Sequence, residues 1–235
     1  MFPLRDNNPT SRIPVITYAL IATNAVAWGF LQGFGTSPAL FYSICHYGLI
    51  PGELLDTAPA GAVIQLSESM ICTIDRTANW SSVVSSMFMH GSWFHIISNM
   101  WFMFIFGDNV EDRLGRMQFV GFYLVCGLAA AAAQVALNPS SIVPMVGASG
   151  AIGGVMGAYA ILYPHAKVEM LVILGFFITR IIVPAALMLG YWFLLQLLSA
   201  SAALGGKAGG VAFGAHVGGF LMGIVLGYLV RVNQR

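Results

Sequence analysis

The chain has 235 residues, of which 58% are hydrophobic and 8% charged, with a formal net charge of +1 and a mean hydropathy of +0.81. Soluble domains carry roughly 25% charged residues, so this chain cannot cover a water-facing surface, and lipid must be its solvent. The near-zero charge gives no footing for a nucleic-acid partner, and Cys45, Cys72 and Cys126 form neither a CxxC pair nor a zinc-type spacing.

The N-terminal "MFPLRDNNPTSR" is polar and opens no short apolar region with a small-residue cleavage site. The first apolar run is therefore expected to be a retained span, preceded by a short cytoplasmic tail, residues 1–12. A helix needs about 20 apolar residues to cross a bilayer. Six runs qualify as candidate spans: Ile13–Gln32, Met87–Gly107, Met117–Leu137, Ser149–Tyr163, Ile181–Leu198 and Val211–Val232. Together they predict an all-α membrane domain over residues 13–232, with 233–235 as a cytoplasmic end. The long outer loop Gly33–Ser86 is too long for a structureless connector and is expected to be partly structured against the membrane face. His165–Arg180, charged at both ends with an apolar middle, is short for a span and is expected to be interfacial or re-entrant.

Six spans put both termini on one side. That side holds Arg5, Arg12, Arg113, Arg116, Lys167, Arg180, Arg231 and Arg235, against Arg76 and Lys207 on the other. The imbalance predicts cytoplasmic termini.

On this map none of the nine acids, Asp6, Glu53, Asp56, Glu68, Asp75, Asp108, Glu111, Asp112 and Glu169, sits well inside a span. An ion-coupled transporter usually keeps a charged group there, and an intramembrane aspartyl protease needs two aspartates there. Both lysines fall in loops, which leaves a Ser–Lys dyad unsupported, and HExxH is absent. What remains in or near the spans is His90, His95, Asn99, Ser149 and His216: a hydroxyl nucleophile, candidate bases and an amide donor, the parts of an acyl-transfer site.

Depth agrees with that chemistry. The fourth span is about 22 Å long in a hydrocarbon core about 30 Å thick, so Ser149 begins roughly 8 Å below the outer face. His216 is expected about 7–8 Å down the sixth span and His95 about 12 Å down the second. "HIISN" sets His95 and Asn99 four residues apart, on one helix face. The loop "NPSSIVPMVG", Asn138–Gly147, has two serines that could help admit water to that depth. Taken singly, each residue reads more blandly. Ser149 among Gly150, Gly153, Gly154 and Gly157 fits helix packing, and lone polar groups often glue membrane helices together. The joint pattern, with all of them in one membrane half, favours the site.

These motifs, "GASG" (Gly147–Gly150), "HGSWFHIISN" (His90–Asn99) and "AHVGGFLMG" (Ala215–Gly223), resemble those of the rhomboid intramembrane serine proteases, in the family's order on spans two, four and six. The resemblance covers roughly Thr10 to Arg231 and implies a rhomboid-like bundle of six transmembrane helices. It implies Ser149 as nucleophile, His216 as general base and acid, and His95, Asn99 and the Ser149 N–H as oxyanion donors. Gly147, Gly150 and His90 take supporting positions, Gly219 and Gly223 allow span six to pack on span four, and Glu111 with Arg113 match a structural acidic–basic pair. It further implies transmembrane protein substrates cut within the lipid bilayer near the outer end of a helix, no cofactor, no metal, and residence in a bacterial cytoplasmic (inner) membrane. The alternative within the family is a catalytically inactive rhomboid-like binder of membrane proteins. Outside the family, a small polytopic transporter or channel would be expected to carry an intramembrane charge.

Two departures stand out. The family's Trp-Arg pair in the first loop would fall near Ser81-Ser82, and neither type is there. The aromatic that some members stack on the histidine, four residues after the serine, is Gly153 here. Cys45 and Cys72 share the outer loop, where a disulfide and two free thiols both fit. Cys126 reads as core packing, and Trp192 and Phe193 face either lipid or the substrate side.

Overall fold

A computed structural model describes residues 2–59, 61–67, 70–74, 78–204 and 211–233. The elements run β1 (Phe2–Asp6), α1 (Val15–Phe30), α2 (Ala39–Tyr47), α3 (Pro51–Leu54), β2 (Val63–Ser67), β3 (Met70–Thr73), α4 (Ser82–Ser85), α5 (Trp93–Leu114), α6 (Arg116–Leu137), α7 (Ser149–Leu162), β4 (Lys167–Leu174), β5 (Phe177–Pro184), α8 (Ala185–Leu204) and α9 (Phe213–Asn233). The six long helices α1, α5, α6, α7, α8 and α9 form a helical membrane bundle. Among them Arg116–Leu137, Ala185–Ala202 and Phe213–Asn233 are long and apolar enough to cross a membrane, while Val15–Phe30 and Ser149–Leu162 are apolar but shorter.

The core is built around α7. Every residue from Gly150 to Tyr159 is buried, because the helix is ringed by α5, α6, α8 and α9. Its glycines remove the side chains that would hold neighbours away. A Cβ on Gly219 would strike the Gly150 carbonyl, one on Gly223 the Gly154 carbonyl, and one on Gly157 the Phe220 carbonyl. The α7 and α9 backbones therefore touch, with contacts repeating every four residues, in the small-residue packing that membranes favour. Cys126 is fully buried on α6 against Gly154, a packing residue as its position predicts. At the lower end of α7, Arg231 donates to the Ile161 carbonyl at 3.0 Å and satisfies one of the helix's open acceptors.

Three sequence expectations need correction. The second span does not begin at Met87. Ser86–Phe88 is a short 3₁₀ turn, and Ser92 caps α5 by accepting from the His95 N–H at 3.1 Å. His95 thus lies in the first helical turn, about 4 Å from the helix start and not about 12 Å. At its other end α5 continues to Leu114, so Asp108, Glu111 and Asp112 stand on a bundle helix and not in a loop. Glu111 is buried, and its carboxylate accepts from Ile16 N (3.0 Å), Thr17 N (2.7 Å) and Thr17 Oγ1 (2.8 Å). It caps α1, whose own N-cap residue is Pro14 and offers no side-chain acceptor.

The third correction concerns the chain between α7 and α8. Lys167–Pro184 is a β-hairpin, with Lys167 opposite Pro184 and Leu174 opposite Phe177, so the fifth helix begins at Ala185 rather than Ile181. β1 joins as a third antiparallel strand on β4, pairing Phe2 with Leu171 and Asp6 with Val168. Residues 2–6, expected as part of a tail, are therefore integral to the fold. Trp101 Nε1 donates to the Pro3 carbonyl at 2.8 Å, and the Tyr159 hydroxyl donates to the Asp6 carboxylate. Burial holds the Asp6 carboxyl above the usual carboxylate range. Glu169 accepts from Arg5 Nε (2.7 Å) and Arg180 Nη1 (3.1 Å), which hold its carboxyl below that range.

The long first loop, Gly33–Ser86, is structured, as its length predicts. Its α2 and α3 helices and β2–β3 hairpin enclose a small core of Ile50, Ala58, Cys72 and Ile74. Cys45 and Cys72 are joined by a disulfide with Cα atoms 5.7 Å apart. Arg76, Lys207 and Arg235, used in the charge count, and the acids Glu68 and Asp75 lie outside the described residues.

Candidate active site

Five long helices, α5 to α9, and the Met145–Gly147 loop meet at a cavity of about 470 Å³. Ser149 is the first residue of α7, His216 the fourth residue of α9, and His95 and Asn99 lie on the upper turns of α5. The backbone contact between α7 and α9 brings the first two together, with His216 Nε2 2.8 Å from Ser149 Oγ. The other ring nitrogen, Nδ1, is 2.7 Å from Gln196 Oε1 on α8. With the Gln196 carbonyl oxygen, an acceptor only, turned toward the ring, the arrangement favours the tautomer protonated on Nδ1, with the Nε2 lone pair toward the serine hydroxyl.

His95 takes the complementary tautomer. The Gly91 N–H donates to its Nδ1 at 3.3 Å, which leaves the proton on Nε2. That nitrogen faces Gly147: a Cβ there would stand 2.6 Å from it and 3.5 Å from Ser149 Oγ. Gly147 also has φ +127°, a conformation that L side chains rarely adopt. Both facts require glycine two residues before the serine. Asn99 is buried and lines the same cavity, and its Nδ2 has no hydrogen-bond acceptor among the described residues. The first N–H groups of α7, Ser149 among them, precede the helix's own hydrogen bonds. The same cavity is thus lined by His95, Asn99 and Ser149, which offer the donors Nε2–H, Nδ2–H and a backbone N–H, and by the Ser149–His216 pair.

The loop above α7 is held from both sides, which satisfies its non-helical backbone at this depth. Leu49 and Met145 exchange backbone hydrogen bonds at 2.9 and 2.8 Å, Gly147 N donates to the Ser86 carbonyl at 2.9 Å, and Thr57 Oγ1 donates to the Pro139 carbonyl at 2.6 Å. His90 is fully buried beneath His95, their ring centroids 5.0 Å apart. Its backbone is gripped by Gln32, whose Nε2 donates to the His90 carbonyl at 2.7 Å while Oε1 accepts from its N–H at 2.8 Å. Gly150 lies against Ala130, and Gly219 and Gly223 against α7. Ser149, His216, His95, Asn99, Gly147 and Gly150 line the cavity, while His90, Gly219 and Gly223 pack behind it.

Two α8 residues complete its surroundings: Gln196, which the sequence did not single out, and Trp192, which it left facing either lipid or the substrate side and which lines the cavity. Gln196, a lone amide within an apolar helix, is the Nδ1 partner; polar groups in spans are costly, and that was its signal. Trp192, one turn earlier on α8, has its ring centroid 5.9 Å from that of His216 at a tilt of 34°. It also lies 3.8 Å from where a Gly153 Cβ would stand. The space that Gly153 leaves on α7 is flanked by an aromatic from α8.

Comparison with known proteins agrees with the motifs. Residues 77–233, about two-thirds of the chain, match the family description Rhomboid domain. The chain is 29% identical over 171 residues to Rhomboid protein 1, mitochondrial, of Saccharomyces cerevisiae, covering 70% of this chain and 46% of that protein. It is 31% identical over 160 residues to Rhomboid-like protein 11, chloroplastic, of Arabidopsis thaliana, covering 64% and 52%. Against Rhomboid protease GluP of Bacillus subtilis it is 29% identical over 139 residues, covering 59% and 26%. The chain thus spans about half the length, or less, of these relatives.

Proposed function

This chain belongs to the rhomboid family, and on that premise we propose that it is an intramembrane serine endopeptidase working through Ser149 and His216. The observation that carries the reading is the 2.8 Å contact between Ser149 Oγ and His216 Nε2, with Nδ1 engaged at 2.7 Å by Gln196. As Oγ attacks the carbonyl carbon of a peptide bond, its proton passes to His216 Nε2. The tetrahedral oxyanion is met by His95 Nε2–H, Asn99 Nδ2–H and the Ser149 N–H, and each such donor typically lowers the barrier by about 3–4 kcal/mol. His216 then protonates the departing amine, an acyl-enzyme remains on Ser149, and water hydrolyses it with His216 as base again.

The substrates are segments of other membrane proteins, reaching the cavity within the lipid bilayer. The membrane-spanning part lies within residues 13–232, with β1 joined to it through the sheet, and both termini face the cytoplasm of a bacterial inner membrane. Ser149→Ala and His216→Ala, each reconstituted in liposomes with a transmembrane substrate, are expected to lose cleavage. Retention in both variants overturns the proposal. A fluorophosphonate probe that labels wild type but not Ser149→Ala separates an enzyme from an inactive binder with the same fold.

A further inference from the structure

We propose that Gln196 is a positioning residue for His216, fixing its tautomer from outside the α7–α9 pair; this rests on His216 being the base. On the described residues that contact His216, no carboxylate faces Nδ1 within hydrogen-bonding distance; the Gln196 amide does, at 2.7 Å. The ring has two neutral forms. Only the form protonated on Nδ1 leaves Nε2 free to take the serine proton, and an acceptor at Nδ1 selects that form. A carboxylate would select it with a full charge, which is costly to bury in a bundle solvated by lipid. An uncharged amide performs the same selection without an ion.

The ring plane is restrained from the same helix. Trp192 and Gln196 are four residues apart, hence on one face of α8. The first lies beside the imidazole at a centroid distance of 5.9 Å, the second holds its Nδ1. Phe213, at 6.2 Å and nearly perpendicular, borders the ring from α9. The tautomer and the tilt of the base are thus set by α8, whereas its distance to Ser149 is set by α9 on α7. A displacement of α8 would loosen both restraints while leaving the nucleophile and base within reach of each other.

The variants are Gln196→Met, which keeps the length and removes the acceptor, and Gln196→Glu, which keeps an acceptor. With the liposome assay, Gln196→Met is expected to lose about tenfold in kcat at nearly constant KM, since one neutral hydrogen bond is removed. Gln196→Glu is expected to recover most of that loss. The tautomer is read directly by 15N NMR of the imidazoles in Ser149→Ala, where the hydroxyl cannot contribute, with the His216 signal identified by its loss in His216→Ala. The expected spectrum has Nδ1 protonated and Nε2 unprotonated, and the added Gln196→Met substitution yields a mixture of the two tautomers. An unchanged tautomer, or wild-type kcat in Gln196→Met, overturns the proposal. The NMR readout needs no cleavage, so it can fail while Ser149 and His216 remain essential, and the dyad reading can fail while the tautomer still follows Gln196.

Discussion

The two sides of the cavity are built by opposite rules. Between α7 and α9 the backbones touch, because Gly150 faces Gly219, Gly154 faces Gly223 and Gly157 faces the Phe220 carbonyl. α8, on the other side, presents Leu187, Tyr191, Leu194 and Leu198 outward and reaches the site through a few long side chains. The tight side holds the reacting pair in register. The looser side supplies Gln196 and Trp192, which orient one member of that pair. Distance and orientation are therefore separable in this molecule, and mutations can address one without the other.

The largest effect is expected where the tight side is forced apart. Gly219→Leu or Gly223→Leu puts a branched side chain into the α7 backbone, and no folded protein should be recovered from membranes. Gly223→Ala should fold with a loss of about 1–3 kcal/mol or more, measured by unfolding in mixed micelles. Next comes Gly147→Ala, which combines a positive φ with a Cβ 2.6 Å from His95 Nε2. Cleavage by the folded fraction should fall about 100-fold, because a small displacement at the reacting centre is enough, alongside a stability loss of about 1–3 kcal/mol from the positive φ. Glu111→Ala leaves the α1 N-terminus without its cap and should cost about 1–3 kcal/mol of stability without a matching change in cleavage by the folded fraction.

On the looser side, Trp192→Ala removes ring contacts with both His216 and Phe220 and should lower the kcat of the folded fraction about fivefold, the contact with the base being worth about 1 kcal/mol. Equal losses in kcat and stability would erase the distinction between the two sides. The smallest effect lies outside the membrane. Arg5 and Arg180 depress the Glu169 carboxyl, so its ion pairs stabilise the sheet above the ordinary glutamate range and are lost as pH falls through the lowered folded value. Glu169→Gln should melt slightly below wild type at neutral pH, and the gap should close on acidification beyond that point.

Much of this was legible because membrane chemistry leaves few candidates. Once the apolar runs were assigned, Ser149, His216, His95 and Asn99 stood out as polar groups in costly places, and the i, i+4 spacing of "HIISN" put two of them on one face. The β4–β5 hairpin was not legible. β4 and the first half of β5 read as a short apolar stretch at the interface and the end of β5 as the start of the fifth span, because short apolar runs cannot be assigned to strand or helix by periodicity alone. The cues were local: β-branched Val, Ile and Thr, and Gly175 at φ +60° in the turn between Leu174 and Phe177. The start of α5 was misplaced because "MFM" is apolar, although Gly91-Ser92 carries the cap signal. Gln196 was visible in the sequence but had no partner there. Only the side-by-side arrangement of α8 and α9 gives it His216, since that contact joins positions 20 residues apart in chain order.

The glycine contact between α7 and α9 also sets how the protein answers its surroundings. Side chains between helices act as springs, taking up bending by changing rotamer; two backbones in contact have no such slack. A thinner or stiffer bilayer would carry Ser149 and His216 along as one body and leave their spacing unchanged. The same deformation, applied to an outward-facing helix such as α8, would act on the orientation of the base.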